Sequence, residues 1–276
     1  MRGLLAVAVS ALLAAPPARA GLAERLRGGP RAAGHQGSLF GAKNTVAGFD
    51  EALRAGADIV EMDLRLSRDG VPVVFHDAWM GLWTHCLGFV RDMSAAQITA
   101  CRYRGSGTPV PTFAEVLDWA RGRVIVNAEF KTVEVIAPAL ALARAKGALG
   151  WTYFQTQWDP EKYYRARALD KDAILQFQPW TLDRLDWALA RKDPNLLVIE
   201  LNELTWDSEH LRRVHAAGKL ASVNSFYFSW SYELSGAACS RVWARDIDIA
   251  VSNRPKDCAA QRDAARPATS AGTRGR

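Results

Sequence analysis

The chain lacks the features that mark several protein classes. Its four cysteines form no Cys-x-x-Cys, which removes support for a zinc ribbon or a thioredoxin-type motif. No Gly-x-Gly-x-x-Gly turn is present, which counts against a dinucleotide-type doubly wound sheet. Beyond the N-terminus no stretch is apolar enough to span a bilayer. Net charge is also scarce once it is located. Lys plus Arg number 35 against 29 Asp plus Glu, a formal +6. However, Arg2 and Arg19 sit at one end and Arg262, Arg266, Arg274 and Arg276 at the other, which leaves the body near neutral. The high pI is therefore a property of the ends, and no nucleic-acid partner is expected. With 276 residues, 49% hydrophobic and 23% charged, the chain can build a full core, which excludes disordered and collagen-like classes.

The ends read differently from the body. Met1-Arg2-Gly3 precedes an apolar run over residues 4–15, then Pro16-Pro17-Ala18-Arg19-Ala20. A positive start, a short apolar stretch and an Ala-x-Ala site predict a secretory signal over residues 1–20, hence an exported (periplasmic or secreted) protein. A buried N-terminal helix is the alternative. In an oxidising compartment the sequence-local pairing of Cys86 with Cys101 and Cys239 with Cys258 is expected among three connectivities; four free thiols are the alternative. Residues 259–276 are expected to form a flexible basic tail, solvated or in weak contact with a membrane surface.

Between the ends, residues 30–258 are expected to form one domain. Apolar runs at 59–66, 71–76, 124–130, 152–155, 173–177, 196–201, 220–224 and 248–252 read as strands. A weak strand at 32–35 precedes them. Asp69-Gly70 joins 59–66 to 71–76 as a hairpin. Helical patterns occupy 45–55, 112–120, 133–145, 160–168, 182–190 and 208–216. Asn44 or Thr45 caps the first, and Thr112 with Glu115 forms a capping box for the second. Setting the hairpin strand aside, eight strands alternate with helices, which predicts a (β/α)8 TIM barrel, with an open sheet as the alternative. Residues 79–111 form a long insertion carrying Trp79, Trp83, Phe89 and Tyr103. Long barrel loops often cover the active face.

Glu61 and Asp63 are two apart on a strand, so their side chains point the same way, about 6–7 Å apart. Burying two carboxylates together is costly unless a cation joins them, and such a pair suits a hard divalent ion. An exposed edge strand is the structural alternative. Glu129 ends the strand 124–130 and completes a three-carboxylate set, with Lys131 beside it. A simple Glu129–Lys131 ion pair is the bland reading of those two. Barrel active sites form at the C-terminal ends of strands. His35 and His76 also fall at strand ends, and two imidazoles near three carboxylates favour acid–base chemistry. Glu200 and Asn224 end later strands and are expected either to shape an alcohol pocket or to serve structurally.

Several short motifs in order extend this reading. They are His35-Gln36-Gly37, Ala42-Lys43-Asn44-Thr45, Gly56-Ala57-Asp58-Ile59-Val60-Glu61-Met62-Asp63 and Asp69-Gly70-Val71-Pro72-Val73-Val74-Phe75-His76-Asp77. Pro111-Thr112-Phe113-Ala114-Glu115-Val116-Leu117, Asn127-Ala128-Glu129-Phe130-Lys131, Ser222-Val223-Asn224 and Ser252-Asn253-Arg254-Pro255 follow. Together they resemble the glycerophosphodiester phosphodiesterase family over nearly the whole domain. The resemblance implies a (β/α)8 barrel and one divalent cation, calcium or magnesium, on Glu61, Asp63 and Glu129. It implies His35 and His76 as the acid–base pair, Lys131 as a phosphate contact, and a small-molecule or lipid-derived phosphodiester substrate.

Two positions depart from the family pattern. Gln36 stands where the family has arginine, which removes a bidentate phosphate clamp, and Lys43 stands where it has glutamate. Both are assigned to the phosphate-binding region, and the two exchanges are read as coupled. The resulting expectation is a metal-dependent phosphodiester hydrolase cleaving glycerophosphodiesters. The alternatives are a secreted phospholipase acting on lysophospholipids and a catalytically reduced barrel that only binds phosphodiesters.

Overall fold

Short β-branched strands alternating with amphipathic helices close a barrel in this computed structural model, which describes residues 21–38, 42–202, 205–227, 235 and 237–265. The strands are β1 (Arg31–Gly34), β2 (Ile59–Leu66), β3 (Pro72–Val74), β4 (Ile125–Phe130), β5 (Thr152–Gln155), β6 (Leu175–Phe177), β7 (Leu196–Leu201), β8 (Leu220–Asn224) and β9 (Ile249–Ser252). Their order is β1-β9-β8-β7-β6-β5-β4-β2-β3, and a β1–β2 pairing closes the ring. All ring pairings are parallel, so the eight-stranded (β/α)8 barrel expected from the sequence is present. β3 lies outside the ring as the antiparallel return of a hairpin on β2, with Leu64 opposite Val74. Gly70, at φ 79°, supplies the left-handed residue in that turn.

Helices α1 (Leu22–Arg27), α2 (Val46–Arg54), α3 (Ala95–Ala100), α4 (Phe113–Ala120), α5 (Ile136–Ala145), α6 (Pro160–Leu169), α7 (Leu182–Leu189) and α8 (Ser208–Ala216) precede α9 (Ala238–Trp243) and α10 (Pro255–Ala265). Capping residues fix several starts. Thr45 accepts from Gly48 N ahead of α2, and Thr112 with Glu115 closes the expected capping box of α4. A second box, Ser94 with Gln97, starts α3 within the insertion.

Alternation along the strands sorts the cores. Val60, Met62, Val126, Ala128 and Phe154 face the surrounding helices, together with Phe49 and Phe113. Ile59, Ile125, Tyr153, Leu220 and Ile249 face inward near the strand starts, where Leu22 and Leu26 of α1 plug the barrel. One end of the lumen is thus sealed by apolar side chains, and polar inward residues are left for the other end. The insertion has its own small core of Val73, Phe75, Met80, Val90, Ile98 and Val110. The disulfide Cys86–Cys101 fastens it, and Cys239–Cys258 joins α9 to α10.

The tail expected from residue 259 needs correction. Residues 259–265 continue α10, Ala259 is buried, and buried Arg262 pairs with Asp58 and Asp263. Proline at its first position and the disulfide at Cys258 start and hold this helix. The remainder of the tail and the signal segment 1–20 lie outside the described residues.

Candidate active site

The site is built on two neighbouring strands. In the parallel register of β2 and β4, Asp63 lies opposite Glu129 and Glu61 opposite Asn127. This puts three carboxylates on the inner face at the C-terminal end. Oxygens of Glu61, Asp63 and Glu129 lie within 4.8 Å of one another. Glu61 and Asp63 are 3% and 2% exposed, so the edge-strand alternative does not hold.

Fixed donors hold the carboxylates in place. The Gln36 backbone N–H donates to Glu61 Oε2 at 2.9 Å, and the Gln36 side chain donates to Asp63 Oδ2 at 2.9 Å. Asn44 Nδ2 donates to the same Asp63 oxygen at 2.7 Å. Gln157 Nε2 donates to Glu129 Oε1 at 2.6 Å. Gln36, Asn44 and Gln157 are the non-glycine residues with positive φ among the described residues, at 50°, 55° and 55°. Side chains disfavour that region, and it clusters at sites where the surroundings over-determine it. Here each such residue donates to the acids, Gln36 to two of them and Asn44 and Gln157 to one each. Just before Gln36 and His35, Gly34 has no room for a side chain: a Cβ there would lie 2.3 Å from the Gly37 carbonyl oxygen.

Positive charge around the acids is limited. Lys131 Nζ lies 2.6 Å from Glu129 Oε1 and 3.4 Å from Asp63 Oδ1, so it bridges two carboxylates rather than forming a single ion pair. Glu61 has one ion-pair contact among the described residues, His35 Nε2 at 4.0 Å. Burial, then the charges of Asp63 and Glu129, raise the Glu61 carboxyl well above the usual range. Burial and Asp63 likewise raise Glu129. Burial pushes Asp63 up too, but Lys131, His76 and Asn44 outweigh it and hold the carboxyl low. One lysine does not neutralise three carboxylates. This converging set of oxygens with excess negative charge fits a hard divalent cation.

The two histidines share this mouth. His35 and His76 both line a cavity of about 260 Å³ with the three acids and Lys131. Both also line an adjoining cavity of about 810 Å³ that extends over Lys43, Phe75, Leu82, Trp83 and Tyr103. His35 Nδ1 lies 2.8 Å from Asn253 Oδ1, and its ring packs on Phe226 at 4.6 Å between centroids. Burial pushes its pKa down to about 4, against the Asn253 bond and the Asp63 charge. His76 is more open, with Nδ1 3.3 Å from Asp77 Oδ1.

The structure thus brings His35, His76, Glu61, Asp63, Glu129, Lys131 and Gln36 together, with Lys43 at the rim. The amide nitrogen of Gln36 is committed to an acid. Asn44, Gln157 and Asn253 are supporting residues that sequence reasoning did not assign. Buried Lys162 is another, donating to Phe130 O at 2.7 Å and to the Gln157 amide oxygen. Asn44 and Asn253 stood inside the short motifs, whereas Gln157 and Lys162 carry no motif and meet the site only through the fold.

Relatives are consistent with this geometry. The sequence model of the glycerophosphoryl diester phosphodiesterase family matches residues 31–232. A glycerophosphodiester phosphodiesterase of Caldanaerobacter subterraneus is 32% identical over 105 residues, 36% of this chain and 43% of that protein. A probable glycerophosphodiester phosphodiesterase of Mycobacterium tuberculosis is 40% identical over 81 residues, 29% of this chain and 30% of that protein. The matches span less than half the length of these curated relatives. Among solved structures, a glycerophosphodiester phosphodiesterase from Agrobacterium tumefaciens superposes with a TM-score of 0.72 at 24% identity, covering 84% of this chain and 99% of that one. A glycerophosphoryl diester phosphodiesterase from Parabacteroides distasonis gives 0.74 at 21%, covering 88% and 89%. An Oleispira antarctica phosphodiesterase, solved with the product sn-glycerol-3-phosphate, gives 0.56 at 18%, covering 86% and 98%. With the matching family model spanning most of the barrel that carries the acids and both histidines, the chain belongs to the glycerophosphoryl diester phosphodiesterase family.

Proposed function

We propose that the chain is an exported, metal-dependent phosphodiesterase that cleaves glycerophosphodiesters by paired histidine acid–base catalysis. The observation that carries this is the convergence of two buried carboxylates, a third that is partly buried and two imidazoles on one cavity. Glu61, Asp63 and Glu129 would hold one calcium or magnesium ion. When bound, such a cation stabilises negative charge developing on the phosphoryl oxygens.

The protein's own groups supply the rest. Lys131, fixed by Glu129 and Asp63, sets a positive charge beside the phosphoryl group. Asn253 Oδ1 accepts from His35 Nδ1–H, so the neutral ring keeps its lone pair on Nε2. His35 Nε2 takes the proton of the attacking hydroxyl, from water or from the substrate's own adjacent alcohol. His76 delivers a proton to the departing alkoxide. Two disulfides support maturation in an oxidising compartment, as the N-terminal signal pattern requires.

A second reading, a lysophospholipid substrate, is favoured by exposed Leu82 and Trp83 on the 810 Å³ cavity. The test incubates the protein with glycerophosphocholine and with a lysophospholipid, with and without chelator, and follows phosphorus spectra. Cation-dependent release of free alcohol from glycerophosphocholine supports the main reading, and turnover of the lysophospholipid alone supports the second. Binding without turnover on any diester points to a barrel that has kept only ligand recognition. A cyclic phosphate product identifies the substrate hydroxyl as nucleophile.

A further inference from the structure

Three strands round the ring from β4, which Lys131 follows, lies a carboxylate that the mechanism above leaves unused. Glu200 on β7 is 1% exposed and has no cationic partner among the described residues. Four amides from three neighbouring strands and their ends surround it instead. Gln155 Nε2 and Gln176 Nε2 donate to Oε2 at 3.0 and 2.6 Å. Gln178 Nε2 and Asn224 Nδ2 donate to Oε1 at 2.5 and 2.8 Å.

Burial and then the Glu129 charge push this carboxyl up to about 8 while the Gln176 and Gln178 donors pull it back, and the four NH2 groups on its two oxygens match its ionised form, which only accepts hydrogen bonds. With all four NH2 groups on Glu200, each amide oxygen faces away from it. The oxygen of Gln176 is taken up by Asn127 Nδ2 at 3.3 Å. Those of Gln155, Gln178 and Asn224 accept nothing among the described residues, and all three residues line the 260 Å³ cavity beside the acids and histidines. That wall is rich in acceptors and offers no side-chain cation. The Phe226 ring lies against His35 on the same cavity, where it can cover carbon.

We propose that Glu200 is a positioning residue that turns Gln155, Gln178 and Asn224 into a wall of amide oxygens reading the hydroxyl groups of the substrate's alcohol. The ligand class is a polyol phosphate, whose hydroxyls donate to this wall while its phosphoryl group faces Lys131. An alcohol without hydroxyls leaves three desolvated acceptors unmatched, which costs affinity. The proposal assigns substrate selection within the phosphodiesterase reading and rests on it.

The test is a binding comparison that does not require turnover. Calorimetry would measure sn-glycerol 3-phosphate against n-propyl phosphate, which shares the carbon chain but lacks the hydroxyls, with saturating magnesium. The wild type is expected to prefer the glycerol compound by about tenfold or more, roughly the value of one matched hydrogen bond. Glu200→Gln removes two acceptor sites, so amides must rotate and present NH2 groups to the cavity; the preference should fall to about threefold or less. Gln178→Met removes one wall oxygen but keeps three donors on Glu200, and it carries the test if Glu200→Gln does not fold. A merely structural role would weaken both ligands equally in these variants and leave the ratio intact, which overturns the proposal. Equal binding of the two ligands by the wild type also overturns it. Hydrolysis of glycerophosphocholine by the wild type is measured separately. A preserved ratio with no hydrolysis would reject the enzyme reading alone, and hydrolysis without preference would reject the polyol wall alone.

Discussion

Asn44 and Asp63 exchange hydrogen bonds in both directions. Asn44 Nδ2 donates to Asp63 Oδ2 at 2.7 Å, and the Asp63 backbone N–H donates to Asn44 Oδ1 at 3.1 Å. One side chain therefore fixes both the strand and the carboxylate of a candidate metal ligand, from a backbone at φ 55°. Supporting groups of this kind are typically worth 10–100-fold in metal affinity or activity. Asn44→Ala is expected to lower kcat/KM on glycerophosphocholine by about that factor. The loss should shrink as magnesium is raised, because the aspartate persists but is less well aimed. A full-strength Asn44→Ala enzyme at low magnesium would show that the reciprocal pair is dispensable.

The acidic trio makes stability sensitive to cations. Burial and then mutual repulsion raise Glu61 and Glu129, and a bound divalent ion removes that repulsion. At about one hundred times its Kd, a ligand specific for the folded state adds about 2.7 kcal/mol. For a chain of this size the melting temperature should rise by about 5–10 °C. Glu61→Gln should abolish the rise while melting no lower than the cation-free wild type. Differential scanning fluorimetry with and without chelator reads both outcomes. An equal rise in Glu61→Gln would place the ion elsewhere.

His35 makes stability fall in mild acid. Burial lowers its pKa from 6.5 to about 4. Between those values the unfolded chain binds a proton that the folded chain does not, so this contribution is complete above 6.5 and is lost as pH drops towards 4. His35→Gln should melt with a flatter pH profile across that window. Carbon-resolved imidazole spectra should show no protonation of His35 at pH 6. Protonation near its unfolded value would contradict the burial argument.

Gln36 and Lys43 offer a test of coupling. Gln36 already commits its amide to Asp63, and the Asn44 backbone N–H donates to the Gln36 carbonyl at 2.8 Å, tying the two loops together. An arginine at 36 adds a cation beside the acids, where Lys43 also contributes positive charge felt by His35. Gln36→Arg with Lys43→Glu should therefore recover activity relative to the product of the single effects, by about 0.5–3 kcal/mol. A double-mutant cycle on kcat/KM measures this, and strict additivity would separate the two exchanges.

Much of the fold was legible because the barrel's local signals agree. The strands at 152–155, 196–201 and 220–224 coincide with β5, β7 and β8, since apolar runs bounded by caps and turns leave little freedom. The hairpin at Asp69-Gly70 follows from glycine's access to positive φ. Other elements were missed for identifiable reasons. Residues 22–27 are too short to show helical periodicity, and only the plug formed by Leu22 and Leu26 reveals their purpose. The Ser94–Gln97 box is readable in the sequence but lies inside the insertion at 79–111, which carries no longer helical pattern. α10 is nearly without an apolar face, and its order comes from a disulfide and from Arg262 on Asp58.

By itself the sequence determined the alternation that closes a barrel, the two-residue spacing that aims Glu61 and Asp63 alike, and the strand-end positions of His35, His76 and Glu129. These are local matters of period and turn chemistry. Only the tertiary structure decided that Asp63 stands opposite Glu129, that Gln157 and Asn253 brace the site, and that four amides face Glu200. Inter-strand register and the burial of polar groups depend on which distant residues meet, and no local pattern encodes that meeting.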